Sequence, residues 1–132
     1  MSAADVEAMR HAFDAFARGD LETALAFIDP SFEIQDRVVP EASPATRGPE
    51  ALMSNVAMVR EVFGDASWEP REIVDLDGRM LVRVRMKATG DHTSLPFDEE
   101  VGHLYEVNDG RATRLEIFRT WAEARRAAGL DE

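Results

Sequence analysis

The sequence contains no cysteine, only three histidines and a single tyrosine. A chain without cysteine has no disulfide bond, no thiol nucleophile and no thiolate ligand for a metal ion, and this is typical of proteins from the reducing cytoplasm. The histidines, His11, His92 and His103, show none of the short spacings with which side chains bind zinc. We therefore expect no metal ion, no cofactor and a cytoplasmic location.

Basic residues are scarce relative to acidic ones, 15 against 26, which gives a formal net charge of −11. A surface with this charge repels phosphate backbones and anionic lipids, so we expect neither a nucleic acid nor a membrane as partner. Long apolar runs are also missing, because no stretch approaches the 18 apolar residues of a membrane span. Residues 1–7 lack the basic and apolar regions of a signal peptide.

The composition is typical of globular proteins, with 45% hydrophobic and 31% charged residues over a length of 132. That length matches one domain and suffices for a hydrophobic core. No internal repeat or linker interrupts it. We expect a single domain over residues 1–132.

Three helices are predicted in the first half of the chain. Four apolar residues recur every three or four positions and mark one face of the first helix: Val6, Met9, Phe13 and Phe16. A second helix follows Asp20 and stops at Asp29–Pro30, because the residue before proline avoids the helical conformation. A third helix begins at Pro49, ends before Gly64 and presents Met53 and Val56 on its apolar face.

Alternating apolar and polar residues predict a short strand between the second and third helices and four strands in the second half of the chain. The short strand is Phe32–Asp36, and residues 37–48 form a loop. The later strands start near Trp68, at Met80, at Phe97 and at Ala112, with turns at Asp77–Gly78 and Asn108–Gly110 and a polar break at Gly90–Pro96. A final helix begins at a Thr120–Glu123 capping box. Early helices and late antiparallel strands favour an α+β fold with helices on one face of a curved sheet.

This order, with its turn residues, resembles the SnoaL-like branch of the nuclear transport factor 2-like superfamily, which includes the ketosteroid isomerases. Five segments carry the resemblance: Phe16–Leu21, Asp29–Ile34, Arg47–Leu52, His103–Arg111 and Ala122–Leu130. The resemblance implies a cone-shaped α+β fold, in which the sheet wraps around the helices and leaves an apolar pocket. It also implies a homodimer formed through the outer face of the sheet. Because relatives include isomerases, cyclases, dehydratases and hydrolases as well as proteins without known chemistry, the fold alone does not identify an activity.

Asp36 is the first candidate catalytic residue. It shares strand parity with Phe32 and Ile34, so it points inward if they do, and a carboxylate at the inner end of a strand is suited to proton abstraction. Its position also looks like that of the catalytic base in ketosteroid-isomerase-like relatives. The alternative interpretation is a turn aspartate in solvent that caps residues 37–39.

His103 is the second candidate catalytic residue, because it shares the inward parity of Val101 and Tyr105. A histidine there could transfer a proton or donate a hydrogen bond to a developing oxyanion. The alternative is a core histidine bonded to a neighbouring carboxylate or carbonyl. The isomerase-like relatives carry an acid at this position and a tyrosine on the first helix, where this chain has His11–Phe13, and both departures argue against steroid-type isomerisation.

The candidate ligand-binding residues are the large apolar and aromatic side chains expected on inner faces. They are Met9, Phe13, Phe16, Met53, Val56, Trp68 and Tyr105. Each has an alternative role in core or dimer packing. By contrast, Arg83, Arg85 and Lys87 share the opposite face of one strand, and we expect Asp98, Glu100 or Glu116 to be their cross-strand partners.

Two functions follow. The first is a cofactor-independent acid/base enzyme acting on a small apolar metabolite, with Asp36 as base and His103 as acid or oxyanion donor. The second is a non-catalytic module that binds a hydrophobic ligand or only dimerises. Pocket geometry separates them, since catalysis loses its main support if Asp36 and His103 do not approach one cavity of at least about 300 Å³.

Overall fold

The computed structural model describes residues 2–89 and 97–130. The helices are α1 (Ser2–Ala17), α2 (Leu21–Ala26), α3 (Pro49–Phe63) and α4 (Trp121–Ala127). The strands are β1 (Ile28–Asp36), β2 (Asp65–Asp75), β3 (Arg79–Thr89), β4 (Phe97–Asn108) and β5 (Arg111–Phe118), and a 3₁₀ turn covers Pro40–Ala42. The polar break predicted at Gly90–Pro96 lies outside the described residues.

The five strands form one mixed sheet in the order β1-β5-β4-β3-β2. β1 runs parallel to β5, whereas the other neighbours pair antiparallel. The predicted hairpin turns are present, with Gly78 and Gly110 at positive φ. The α+β prediction is confirmed, with three helices before the long strands and one after them.

Strand alternation gives the sheet an inner and an outer face. On β3, Met80 and Val82 are fully buried against the helices, and they pair directly with Tyr105 and His103 of β4. Directly paired residues point to the same face of a sheet, so His103 and Tyr105 also point inward, as the sequence predicts.

Some predicted boundaries are wrong: β1 begins at Ile28 instead of Phe32, and β2 begins at Asp65 instead of near Trp68. The second helix was expected to continue to Asp29–Pro30, but α2 ends at Ala26 and β1 already begins at Ile28. Asp20 caps α2 by accepting a hydrogen bond from the Thr23 amide, as predicted. Because β1 is an edge strand whose register with β5 shifts between Ile28 and Glu33, Pro30 sits where its missing N–H breaks no regular ladder.

The C-terminal helix covers part of the outer face. Leu81 of β3, Leu104 of β4 and Phe118 of β5 form a second core with Ala124 and Ala128 of α4. Helices therefore lie on both faces of the sheet, not on one as expected from the sequence. This core removes an apolar patch that would otherwise be exposed on the outer face.

The rest of the outer face carries ion pairs. Arg83 donates to Glu100 at 2.6 Å, and Arg85 donates to both oxygens of Asp98 at 2.9 Å. Asp98 and Glu100 are thus confirmed as cross-strand partners, whereas Glu116 accepts hydrogen bonds from Arg37. Exposed pairs of this kind contribute at most about 1 kcal/mol each. None of the described helices is long and apolar enough to cross a membrane.

Gly102 of β4 allows the close approach of α4. Its φ is not positive, so the backbone does not require glycine, but an added Cβ would overlap the Cβ of Ala124. The glycine is therefore needed for space. At this point β4 and α4 pack with only backbone and one methyl group between them.

We expect Gly102→Ala to lower the free energy of unfolding by about 1–3 kcal/mol, because the new methyl group has no room beside Ala124. Ala124→Gly alone should cost about 1 kcal/mol through helix propensity. In the double variant the overlap is absent, so urea denaturation of all four proteins should show favourable coupling. Simple additivity of the two single changes would contradict this account of the contact.

Candidate functional site

A cavity of about 80 Å³ lies between the helices and the inner face of the sheet. Sixteen residues line it: Met9, Ala12, Phe13, Phe16, Ala24, Phe27, Ile28, Phe32, Leu52, Asn55, Val56, Trp68, His103, Tyr105, Leu115 and Ile117. Only three of these residues, Asn55, His103 and Tyr105, carry polar side-chain atoms that form hydrogen bonds. The cavity wall is otherwise hydrocarbon and aromatic.

Six of the seven residues predicted to bind a ligand line this cavity: Met9, Phe13, Phe16, Val56, Trp68 and Tyr105. Met53 does not line it and is half-buried on α3. The reason is helical geometry, because Leu52, Asn55 and Val56 occupy the inward face of α3, and Met53 is rotated by about 100° from Leu52. The inward stripe of α3 is therefore shifted by one residue from the predicted one.

Asn55 is a buried polar residue of the candidate site that the sequence interpretation missed. It is buried, and its side-chain amide donates to the Asp36 carboxylate and to the Ala42 carbonyl, both at 3.0 Å. A signal was available, since Asn55 lies in the apolar stripe of α3 with Val56 and Val59. A polar residue in such a stripe requires a partner inside the protein.

His103 lies at the wall of the cavity, and its side chain is buried. Its Nδ1 is 3.3 Å from the hydroxyl of Tyr105, and Phe13 packs against both rings at centroid distances of 6.3 and 6.5 Å. Its Nε2 has no hydrogen-bond partner, and it is the only buried side-chain nitrogen or oxygen in the described residues of which this is true. The predicted alternative, a core histidine bonded to a carboxylate or carbonyl, does not describe this arrangement.

Burial controls the charge of both groups. It lowers the pKa of the His103 imidazole to about 3 and raises the pKa of the Tyr105 phenol. Both side chains are therefore neutral at physiological pH. His103 can then donate or accept a hydrogen bond, but as a neutral base it has no proton to release as an imidazolium acid.

Asp36 ends β1 on the inner side and is buried, as its parity predicts. Its Oδ1 accepts hydrogen bonds from the amides of Val38 and Val39, both at 2.9 Å, and its Oδ2 accepts from Asn55. The carboxylate thus caps the turn that follows β1, which is the structural role considered as the alternative. It differs from that alternative only in being inside the protein.

The structure brings Asp36 and His103 together only at a second, smaller cavity, which Asn55 and Trp68 also line. Asp36 does not line the main cavity, whereas His103, Asn55 and Trp68 line both. Neither cavity approaches the 300 Å³ that the catalytic hypothesis requires. The geometric condition set for catalysis is therefore not met by this structure.

Arg60 of α3 lies beside the cavity wall. Its guanidinium is 5.8 Å from the ring centroid of Phe16 and 5.6 Å from that of Trp68, and it donates to the Ala66 carbonyl. Phe16 and Trp68 themselves pack edge to face at 6.0 Å and are half-buried. These contacts fix the outer side of the two aromatic residues that line the cavity.

Residues 2–89 and 97–130 hold no group of three or more histidine and acidic side chains arranged to bind a metal ion. The acidic side chain nearest the site, Asp36, is already bonded by three N–H groups.

The model of the SnoaL-like domain family matches residues 9–115. The chain belongs to the SnoaL-like family. The matched range includes both candidate catalytic residues and all of the predicted ligand-binding residues. No curated protein matches the sequence.

Solved structures with this fold align with most of the length of this SnoaL-like protein. TerC, co-crystallised with polyporic acid, is 22% identical over 87% of this chain and 90% of its own, with a TM-score of 0.74. An NTF2-like protein of unknown function from Burkholderia pseudomallei K96243 is 19% identical over 93% of this chain and 95% of its own, with a TM-score of 0.74. A putative SnoaL-like polyketide cyclase from Jannaschia sp. CCS1 is 16% identical over 89% of this chain and 85% of its own, with a TM-score of 0.73. At these identities the likeness establishes the fold.

The neutral His103 predicts a pH dependence of stability. An unfolded histidine has a pKa near 6.5, so the unfolded chain takes up a proton below that pH that the folded chain excludes until about pH 3. The stabilising effect is complete above pH 6.5 and decreases as the pH falls toward 3, by up to about 1.4 kcal/mol per pH unit. We expect His103→Gln to remove this slope between pH 5 and 6.5 in urea denaturation. Parallel curves for the two proteins would show that His103 is not buried as a neutral group.

Proposed function

We propose that this protein binds a small, largely apolar molecule with one hydrogen-bonding group in the cavity between α1, α3 and the inner face of the sheet. The observation that carries this proposal is the unpartnered Nε2 of His103, a residue of an otherwise apolar cavity wall; because this nitrogen is itself buried, a ligand reaches it by displacing wall atoms. Leaving a buried polar atom unpaired costs about 1–3 kcal/mol, and a ligand atom bonded to it removes that cost.

The shape and composition of the cavity support the same proposal. Ligand pockets are mostly apolar with a few polar groups that fix orientation, and here those groups are Asn55, His103 and Tyr105. TerC, which has the same fold, was co-crystallised with the small molecule polyporic acid. We therefore infer that the cavity, and not the charged outer face, is the ligand site.

Cavity size limits the ligand in this conformation. The volume of about 80 Å³ is smaller than the roughly 150 Å³ of an engineered protein cavity that binds benzene. Even a single small ring, which is about the size of benzene, therefore requires movement of half-buried lining residues such as Phe16 and Trp68.

Filling the cavity should abolish binding. Cyclopentanone serves as the probe, and its binding is followed by chemical-shift changes in NMR spectra of the labelled protein. Ala12→Leu places a larger side chain in the cavity wall and should weaken binding at least about tenfold, because the two occupy the same space. The matched control, Ala17→Leu on the same helix, lies in an exposed position and should bind as the natural protein does. Equal binding by the two variants would place the probe elsewhere.

An acid/base enzyme is the second candidate function. The observation that favours it is the shared lining of the smaller cavity by Asp36 and His103. Asp36 would act as the base and the neutral His103 as hydrogen-bond donor to the developing oxyanion. Some proteins of similar fold are described as putative polyketide cyclases, which supports an enzyme of isomerase, cyclase, dehydratase or hydrolase type.

Proton abstraction can be tested without knowing the substrate. If Asp36 is a base, the protein should accelerate exchange of the α-protons of cyclopentanone for deuterium in D₂O, measured by NMR. Asp36→Asn should lower that rate at least about tenfold, or about 1.4 kcal/mol of transition-state stabilisation. Asp29→Asn is the control, because Asp29 accepts similar local hydrogen bonds from Ser31 and lines neither cavity. Exchange no faster than in buffer, or equal in both variants, would exclude Asp36 as the base.

We also propose a homodimer through the part of the outer face that α4 leaves uncovered, which carries Arg83, Arg85, Asp98 and Glu100. Native mass spectrometry should show twice the mass of the chain, and Arg85→Glu should lower the dimer fraction, because it replaces the Arg85–Asp98 ion pair of each chain by two like charges on the surface that faces its copy. A monomer at all concentrations would contradict this. The single domain over residues 1–132 and the cytoplasmic location stay predictions.

A further inference from the structure

His103 and Tyr105 form an isolated polar pair in the cavity wall. Both are buried, both line the cavity, and the His103 Nδ1 is 3.3 Å from the Tyr105 hydroxyl. Within the part of the chain that the structure describes, this is the one hydrogen bond found for either side chain. The pair therefore has few ways to arrange its two hydrogen atoms.

A neutral imidazole carries one proton, so one ring nitrogen donates and the other accepts. If the proton is on Nε2, the Tyr105 hydroxyl donates to Nδ1, and the Nε2–H and the phenol lone pair lack partners. If the proton is on Nδ1, the Nδ1–H donates to the phenol oxygen of Tyr105. The Nε2 lone pair and the phenol hydrogen then both lack partners.

Each arrangement leaves one donor and one acceptor unpaired, but the first bond joins the stronger donor, the phenol O–H, to the stronger acceptor, the imidazole nitrogen. Because it forms the stronger bond and leaves the weakly accepting phenol oxygen unpaired instead of an imidazole lone pair, the first arrangement is the more stable. The charged imidazolium does not compete, since burial keeps the pKa of His103 far below neutrality. The nearest acidic candidate, Asp36, is occupied by Val38, Val39 and Asn55.

We propose that Tyr105 fixes the proton of His103 on Nε2, and that the cavity therefore selects ligands that present a hydrogen-bond acceptor, such as a carbonyl oxygen, to that nitrogen. This inference rests on the proposed binding function and adds the chemical class of the ligand. Tyr105 acts here as a positioning residue, because it determines which atom of His103 faces the ligand as a donor. A ligand whose only polar group is a hydrogen-bond donor would face the Nε2–H of His103, which is also a donor, and would form no hydrogen bond with it.

The tautomer can be measured directly in the ligand-free protein. Two-bond ¹H–¹⁵N correlation spectra of protein labelled at histidine distinguish a protonated Nε2 from a protonated Nδ1, and His103→Gln identifies the signals of His103. We expect the Nε2–H form in the natural protein. In Tyr105→Phe the population of that form should fall, because the donor to Nδ1 is gone. A predominant Nδ1–H form in the natural protein would overturn the proposal.

Ligand selectivity is tested with three five-membered rings of similar size. Cyclopentanone offers an acceptor, pyrrole offers a donor, and cyclopentane offers neither. We expect cyclopentanone to bind at least about threefold tighter than pyrrole, the effect of one net hydrogen bond. In His103→Leu this advantage should disappear. Tighter binding of pyrrole, or the same preference in His103→Leu, would overturn the proposed selectivity.

Different results would contradict the proposed binding function and the proposed acceptor selectivity. If none of the three rings binds while the Nε2–H form is found, the proposed binding function is wrong for molecules of this size, whereas the assignment of the proton stands. If cyclopentane binds and cyclopentanone has no advantage that depends on His103, the cavity is a binding site and the acceptor selectivity is wrong.

Discussion

A sheet that is apolar on both faces must be covered on both, and this requirement determines the architecture of the protein. On β3, residues of one parity form the main core with α1 and α3, whereas Leu81, of the other parity, packs under α4. Gly102 permits the second contact because it has no side chain. With α4 on the outer side, the inner face is covered only by the N-terminal helices, and the cavity lies between them and the sheet.

The same helices exclude water from three polar side chains, Asp36, Asn55 and His103. These side chains differ in how far their polar atoms find hydrogen-bond partners inside the protein. Asp36 and Asn55 satisfy each other, and the turn amides after β1 complete the set. Tyr105 satisfies one nitrogen of His103 and leaves the other without a partner. Because unsatisfied buried groups oppose folding, those retained in native proteins occur preferentially at functional positions. This contrast makes His103 a better candidate than Asp36 for contact with the proposed ligand.

Periodicity was sufficient to predict the strands, the hairpin turns and the inward direction of Asp36, His103 and Tyr105, because parity depends only on position along one strand. It was not sufficient for α4, since the face that a terminal helix covers depends on distant residues such as Leu81 and Phe118. The end of α2 was misplaced because the ability of β1 to hold Pro30 depends on its edge position. Likewise, the partners of Asp36 come from α3 and from the turn, and no local pattern contains both.

A buried neutral histidine limits what the site can do. An imidazolium would need either water or a free carboxylate beside it. The rings in contact with His103 are those of Phe13 and Tyr105, and Asp36, which shares the smaller cavity with it, already accepts three hydrogen bonds. A fixed neutral donor pays no reorganisation cost when it bonds an oxygen atom, whether that oxygen belongs to a bound ligand or to a developing enolate. Ligand binding and proton abstraction therefore share the same first step at His103. They differ in whether a substrate proton can reach the lone pair that the Asn55 hydrogen bond leaves on Asp36 Oδ2.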